Sequence, residues 1–359
     1  MLLSDIANTR LASQQISATN FKTAKQLVSW MGAMQAQDYN MAKWAIGVRL
    51  SNTTDKIIQT AIDKGDIIRT HLLRPTWHFV SADDIYWMLQ LSAPRIKASI
   101  KTRNKQLGLT TKIISKSNSI IEKALAGGKH LTREELMAKI EKAKIRTDEY
   151  RSGHLMLEAE LDGIVCSGSI NGLKQTYALL EERIAKPKAI TQEEALAKLA
   201  QKYFESRYPA TLQDFTWWSG LSASNARQGL EMIRSTLISV NIGSQTFWFP
   251  SSFKKPIDFS ESAYLLPAFD EFTISYKDRS ASVSLKDQIR LNTFNGIFKP
   301  IIVINGNVVG IWNRTIKNDK FIIETKFFNK SPGKKIIREL LKDPVTRLGN
   351  FWGKTASIK

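Results

Sequence analysis

The sequence predicts a helix-rich α+β protein in which three tandem winged-helix units precede a β-rich C-terminal domain. Two observations give this prediction: helices followed by a two-stranded hairpin recur three times, and after about residue 260 short extended runs dominate. No low-complexity linker separates the units, which favours a packed assembly. We place the units at residues 1–92, 93–185 and 186–258, and the C-terminal domain at residues 259–359.

The first unit shows the predicted order of elements most clearly. Helical patterns occupy residues 2–16, a segment starting at Thr23, and residues 41–50 and 54–64. Extended runs at 67–73 and 76–80 then predict the hairpin. Helices followed by such a hairpin form a winged helix, which is a variant of the helix-turn-helix.

The second and third units repeat this order. Five helix starts carry capping-box pairs, in which a side chain and a residue three positions later bond each other's backbone: Thr23 with Gln26, Ser81 with Asp84, Thr132 with Glu135, Thr191 with Glu194, and Thr211 with Asp214. Further helices are predicted at 111–125, 147–161 and 222–234, and paired strands at 163–167 with 173–177 and at 237–242 with 245–249. In the C-terminal domain we expect strands around 263–266, 300–304, 308–312 and 321–327 and a helix at 333–341.

The composition favours a soluble protein that binds a polyanion. Of 359 residues 43% are hydrophobic and 24% charged, as in ordinary globular proteins. The 52 Lys and Arg against 33 Asp and Glu give a net charge of +19. Neutralised phosphates release counterions, so nucleic acid is the first candidate partner and an anionic membrane surface the second.

Cysteine usage and hydropathy favour a cytoplasmic location. The lone Cys166 excludes an intramolecular disulfide framework and a multi-cysteine zinc site. The first residues lack the basic and apolar regions of a secretory signal, and no apolar run is long enough to span a membrane. We therefore expect a cytoplasmic protein, and we expect it to be a monomer.

Familiar catalytic motifs are absent from the sequence. It contains no phosphate-binding G-x-x-x-x-G-K-S/T loop, dinucleotide-binding glycine motif, H-E-x-x-H or G-x-S-x-G. The four histidines show no metal-ligand spacing, although His71 and His78 lie on adjacent predicted strands. We therefore expect neither a metal nor a cofactor.

The segment Met34-Gln35-Ala36-Gln37-Asp38-Tyr39 stands out because its polar residues lie between two apolar stretches that each contain a tryptophan. From spacing alone it is the polar end of the helix that starts at Thr23. Residues two apart on a helix point about 200° apart. Both glutamine amides can therefore share one site only if the helix ends or unwinds here.

Four segments resemble the AlkZ-like family of bacterial winged-helix DNA glycosylases, in the expected order and across most of the chain. They are residues 31–39, residues 69–80, residues 265–272 together with 276–279, and residues 305–312. The resemblance implies tandem winged helices and a β-rich part that form a C-shaped basic channel. It also implies excision of alkylated purines from double-stranded DNA, including guanines cross-linked through N7. The family's catalytic motif is Gln-x-Gln or Gln-x-Asp, and Gln35 and Gln37 match the first form.

The resemblance and the chemistry together give a set of candidate site residues. A purine alkylated at N7 is cationic and leaves readily, so a neutral amide that orients water suffices where an ordinary base would need a carboxylate. We expect Gln37 to place the water and Gln35 to support the sugar or the water, with Asp38 as a rival base that more simply caps a helix. Candidate DNA contacts are Arg69, Arg74, Arg279, Asn305 and Arg314. Trp217 and Trp218 are expected in the core.

Three hypotheses stay open at this point. The first is a monofunctional DNA glycosylase, a hydrolase of N-glycosyl bonds that takes part in DNA repair and acts on cationic N7-alkylated purines. The second is a non-catalytic winged-helix DNA-binding protein or transcriptional regulator, and the third is the same scaffold acting on RNA. The sequence leaves open whether the lesion is a monoadduct or an interstrand cross-link.

Overall fold

One order of elements occurs three times in the computed structural model, which describes residues 3–254, 262–329 and 333–359. After α1 (Leu3–Ser13), the first set comprises α2 (Ala24–Met31), β1 (Ala33–Gln35), α3 (Tyr39–Gly47), α4 (Asp55–Lys64), β2 (Ile67–Leu72) and β3 (Thr76–Ser81). The long helix α5 (Ile85–Gln106) leads to the second set.

That second set comprises α6 (Thr111–Leu125), β4 (Leu131–Thr132), α7 (Arg133–Lys142), α8 (Arg151–Leu161), β5 (Val165–Ser167) and β6 (Thr176–Leu179). After the short α9 (Leu180–Arg183), the third set comprises α10 (Gln192–Ser206), α11 (Leu212–Ser219), α12 (Ala223–Met232), β7 (Leu237–Ile242) and β8 (Gln245–Pro250). Here an isolated bridge between Ala210 and Trp248 takes the place of the short strand. In the first two sets that strand joins the hairpin, giving the sheet orders β1-β3-β2 and β4-β6-β5.

The C-terminal part is built on a five-stranded sheet of order β13-β12-β11-β10-β9. Its strands are β9 (Ala263–Leu266), β10 (Ile301–Ile304), β11 (Asn307–Lys317), β12 (Lys320–Phe327) and β13 (Ala356–Ile358). Its helices are α13 (Glu271–Ile274), α14 (Leu285–Gln288), α15 (Lys334–Leu340) and α16 (Lys342–Trp352). Neighbouring strands are antiparallel except β12 and β13, which are parallel.

The hydrophobic cores do not follow the sequence order. One core joins the first set of elements to the C-terminal sheet, and the indole N–H groups of Trp44 and Trp312 donate to the carbonyls of Leu265 and Leu266. A second core joins β2, β3 and α5 to α10, α11 and α12. The first set therefore lies between the C-terminal sheet and the third set and packs on both.

Local sequence signals account for most helix starts. The capping boxes at Thr23, Thr132, Thr191 and Thr211 are all confirmed. The box predicted at Ser81 is wrong, because α5 starts without a side-chain cap. The Asp84 carboxylate bonds the indole of Trp87 and pairs with Lys198 and Lys202 instead.

The predicted helix-rich α+β fold with a β-rich C-terminal part is confirmed, whereas several boundaries are wrong. The helix predicted from residue 147 starts at Arg151, and neither α16 nor β13 was expected. The helix that starts at Thr23 ends at Met31, so the prediction that it continues to the Gln35 segment is wrong. None of the helices within the described ranges has the length and apolar character needed to cross a membrane.

Candidate active site

Gln35 is the last residue of the short strand β1, and the chain bends at Gln37. Gly32 closes α2 at a positive φ of 70°, and β1 then pairs with β3 so that Gln35 lies opposite His78. The Ala36 N–H continues this pairing by donating to the Trp77 carbonyl at 2.7 Å. Ala36 is fully buried, whereas Gln37, at the bend, is exposed. Because α2 ends at Met31, the two glutamines are not held on opposite sides of a helix.

The backbone of the segment is held by two charged side chains from other parts of the fold. The Gln35 N–H donates to Glu271 Oε1 at 2.8 Å, and Arg69 Nε donates to the Ala36 carbonyl at 3.0 Å. The Arg69 guanidinium also lies 4.1 Å from the centre of the Trp77 ring. These contacts fix the main chain of the motif without using either glutamine side chain.

Glu271 is a buried, ionised carboxylate beneath the motif. Its Oε2 accepts from Arg207 Nη2 at 2.8 Å, from the Trp218 indole at 3.0 Å and from the Ser275 hydroxyl. Burial raises the pKa of Glu271, but Arg207, Ser275 and the Gln35 amide together outweigh burial, so the net shift is downward. With four donors on its two oxygens, Glu271 is a fixed anchor for Gln35.

The two glutamine side chains differ in freedom. Gln35 is 9% exposed and its Oε1 accepts from Arg74 Nη2 at 3.3 Å. Gln37 is exposed, and among the described residues its Oε1 has only a long 3.5 Å contact with the Trp77 N–H. Asp38 caps α3 by accepting from the Met41 N–H at 3.0 Å. The freest acceptor in the motif is therefore the carbonyl of Gln37.

The candidate DNA contacts lie at different distances from the motif. Arg69 and Arg74 bond it directly, as above, and Arg279 lies beside Arg74 across the Trp217 ring. Arg314 stacks on Trp352 at 3.9 Å, and burial lowers its pKa while the Asp38 carboxylate opposes that shift.

Asn305 is not brought to the motif by any contact that the structure shows. Its Oδ1 accepts from the Ser262 N–H at 2.9 Å, within the turn between β10 and β11. The neighbouring Gly306 is buried against α1, where a Cβ would lie 2.6 Å from Asn8 Oδ1. This turn packs on the protein itself.

The two histidines of the hairpin do not form a joint site. Strand register pairs Thr70 with His78 and His71 with Trp77, which places the two imidazoles on opposite faces. His71 Nδ1 lies 2.8 Å from Glu160 Oε2, and burial lowers the pKa of His78 to about 3. Within the described ranges, no three His, Cys, Asp or Glu side chains group as metal ligands.

Comparison with known proteins fixes the family. The model of the family described as DNA glycosylase AlkZ-like matches residues 28–351. The chain belongs to the AlkZ-like family. No curated protein matches the sequence. Among solved structures, the DNA glycosylase AlkZ of Streptomyces sahachiroi superposes with a TM-score of 0.81 at 17% sequence identity, over 100% of each chain.

Membership of the AlkZ-like family makes this chain an enzyme that acts on DNA, and the solved structure shows that the two share a fold. Glu271, Arg207 and Trp217 were not among the predicted site residues of this AlkZ-like glycosylase. The string Leu265 to Phe272 contains Glu271 and belongs to the family resemblance, so it carried a signal. Nothing local shows that this carboxylate lies under Gln35.

Proposed function

We propose that this AlkZ-like glycosylase hydrolyses the N-glycosidic bond of cationic, N7-alkylated purines in double-stranded DNA, interstrand cross-links included. The non-helical Gln35-Ala36-Gln37 segment, whose backbone Glu271 and Arg69 hold, carries this proposal. The carboxylates nearest the motif by sequence or contact are already engaged, Asp38 as a helix cap and Glu271 by four donors. A centre built on neutral amides suits substrates whose base already leaves readily.

In the proposed reaction, a water oxygen bonds to C1′ of the sugar as the bond from C1′ to the purine nitrogen breaks. The bond's electron pair goes to the purine and neutralises its positive charge, and the water's extra proton passes to solvent. Gln37, whose carbonyl is the freer acceptor, orients the water. Gln35, held by Arg74 and Glu271, places its amide dipole against the positive charge that develops on the sugar. Because water and not an amine is the nucleophile in this reaction, the proposed enzyme is monofunctional.

The repeated order of helices, short strand and hairpin supports three winged-helix units, at residues 1–92, 93–185 and 186–258, before a C-terminal domain at 259–359. The net charge of +19 supports a basic DNA channel that these parts form together, with a C shape. Arg69, Arg74, Arg279, Asn305 and Arg314 are the proposed DNA contacts, and Arg69 acts mainly by holding the motif backbone. We also propose that the protein is bacterial and cytoplasmic and acts as a monomer.

The test is release of the modified base from a duplex containing N7-methylguanine. We expect release by the wild type, and a loss of about 10²–10³-fold in Gln35→Ala and Gln37→Ala, the range for removing one positioned polar group. Gln201→Ala, which removes an exposed glutamine on α10, is the matched control and should equal wild type.

Two results would separate errors in the proposal. A wild type that binds the duplex tightly but releases no base would make this chain a DNA-binding protein without glycosylase activity. Full activity in both glutamine variants would show that the reaction centre lies elsewhere. Gln37→Asp creates the family's other motif form and should retain release, and a duplex cross-linked through N7 compares cross-links with monoadducts.

A further inference from the structure

A second charged centre lies beside the glutamines, around the ring of Trp217. Trp217 was expected in the core, but 38% of it is exposed. Three cations surround its ring centre: Lys277 Nζ at 4.7 Å, and the guanidinium carbons of Arg74 and Arg279 at 5.7 and 6.0 Å. We refer to Trp217, Arg74, Lys277 and Arg279 as the Trp217 cluster.

The cluster is built to a fixed geometry. The Trp217 indole donates to the Ile274 carbonyl at 3.2 Å, and Arg279 Nε donates to the Thr273 carbonyl at 2.7 Å. The Lys277 N–H donates to the buried Asp214 carboxylate at 2.8 Å. α11 and residues 273–279 therefore place Lys277 and Arg279 beside Trp217, while Arg74 reaches the ring from the hairpin of β2 and β3.

The charged ends of these three cations lack carboxylate partners. Within the described ranges, no Asp or Glu oxygen lies within 4.0 Å of a charged nitrogen of Arg74, Lys277 or Arg279. Arg74 Nε is buried without a hydrogen-bond partner there. Burial lowers the pKa of Arg279 and the neighbouring Arg74 charge lowers it further, while the Asp214 and Asp278 carboxylates oppose the shift without reversing it. Like charges gathered in a half-buried place are costly unless an anion joins them.

The arrangement fits one anion in particular. A guanidinium has five N–H donors in a planar fork that matches phosphate oxygens, and two guanidiniums with an ammonium suit a phosphodiester. Arg74 Nη2 already donates to Gln35 Oε1. The other N–H donors of the same guanidinium are therefore next to the proposed reaction centre.

We propose that the Trp217 cluster binds a phosphodiester group of the DNA strand next to the base that is excised, and that Arg74 connects this phosphate to Gln35. Binding of the strand then sets the orientation of the catalytic amide, which makes Arg74 a positioning residue. The proposal extends the glycosylase function above, because the phosphate is that of its substrate. Phosphate binding itself does not require that the base be released.

The first experiment compares two lysines that differ in partner. Lys277 lies over Trp217 without a carboxylate, whereas Lys198 lies 4.8 Å from the centre of the Trp87 ring and pairs with Asp84 at 3.3 Å. Affinity for a duplex containing N7-methylguanine is measured by fluorescence anisotropy across a salt titration. We expect Lys277→Gln to reduce the slope of log affinity against log salt by about 1 and Lys198→Gln to leave it unchanged. Equal slopes in wild type and Lys277→Gln would overturn the proposal.

The second experiment locates the phosphate. Duplexes carrying one uncharged methylphosphonate are scanned through the linkages around the lesion. At the linkage bound by the cluster, neutralisation should weaken binding by wild type more than binding by Lys277→Gln, because the variant keeps Arg74 and Arg279 but has already lost the Lys277 interaction. The same loss in both proteins at every linkage would refute the assignment.

Base release then tests the connection to Gln35. Arg74→Lys keeps the charge but loses the fork, so we expect the salt slope to stay while release falls at least tenfold. Unchanged release would overturn the role of Arg74. A salt-slope effect of Lys277→Gln in a protein that releases no base would support the phosphate site while refuting the glycosylase. Base release by the wild type without a salt-slope effect of Lys277→Gln would support the glycosylase and refute the phosphate site.

Discussion

Replacement of Glu271 by glutamine should lower the free energy of unfolding and also reduce base release, because Glu271 holds the backbone of Gln35. The carboxylate accepts from the Gln35 N–H on one oxygen and from Arg207, Trp218 and Ser275 on the other. Glutamine has the same shape but one acceptor oxygen. In either orientation its NH₂ group faces a donor, so one side of the network is broken.

The size of the loss follows from burial. Glu271 is 1% exposed and Arg207 is fully buried, and breaking such a pair costs about 3–5 kcal/mol. Arg207 also donates to the carbonyls of Met31 and Ala33 at 2.7 and 2.8 Å. These bonds survive in the variant, so we expect the lower end, about 3 kcal/mol.

The loss depends on pH with a definite sign. The pKa of Glu271 in the folded protein lies below its ordinary value of 4.5, so its charge stabilises the fold above that pH. As pH falls below 4.5 and toward the folded pKa, the wild type loses this contribution while Glu271→Gln, which does not titrate, loses nothing. The gap between the two unfolding free energies should be constant near neutral pH and narrow in acid.

Urea unfolding of Glu271→Gln and Glu231→Gln measures this difference. Glu231 pairs with Arg234 at 3.1 Å, but the two side chains are 51% and 59% exposed, and such surface pairs contribute at most about 1 kcal/mol. A Glu271→Gln loss no larger than the control's would refute the anchoring role of Glu271. Normal base release from the folded variant would refute its link to Gln35.

Two further predictions concern the backbone near Arg74 and a buried histidine. Gly220 and Gly243 both have positive φ, but only at Gly220 would a Cβ clash, 2.5 Å from the Leu73 carbonyl. Urea unfolding should show Gly220→Ala less stable than Gly243→Ala by about 1–3 kcal/mol. Base release should fall only in Gly220→Ala, because there Arg74 must move. Equal stability and equal base release in the two variants would contradict this. Burial holds the pKa of His78 at about 3 against an ordinary 6.5, so the unfolded chain takes up the proton first and stability falls as pH drops from 6.5 toward 3. His78→Asn should remove about 2 kcal/mol of that loss at pH 5, and an unchanged pH profile would contradict it.

Local chemistry made much of the fold predictable. A capping box depends on four consecutive residues, and a turn such as Asn305-Gly306 depends on two. Neither needs a contact with a distant part of the chain to form. The boxes at Thr132 and Thr191 start α7 and α10 as predicted. The prediction failed at Ser81 because distant cations, Lys198 and Lys202, occupy the Asp84 carboxylate.

The candidate site was harder to predict, because its parts come from distant segments. Gln35 was identified from the sequence, but its strand exists only through pairing with β3, and the sequence alone placed it at a helix end. The anchor Glu271 lies 236 residues further on. Arg207 and Trp217 come from a third segment, and no short-range pattern relates them to the motif.

Positions 35 and 37 should tolerate different substitutions because their surroundings differ. At position 35 the side chain is nearly buried, its own N–H bonds the ionised Glu271, and Arg74 bonds its carbonyl. A carboxylate there would place a second negative charge next to Glu271 in a poorly solvated place, which is costly. At position 37 the side chain is exposed and only weakly bonded, so water can solvate either an amide or a carboxylate. An acid at position 37 adds a general base without disturbing the buried network. We therefore expect position 37 to tolerate an aspartate and position 35 to require an amide.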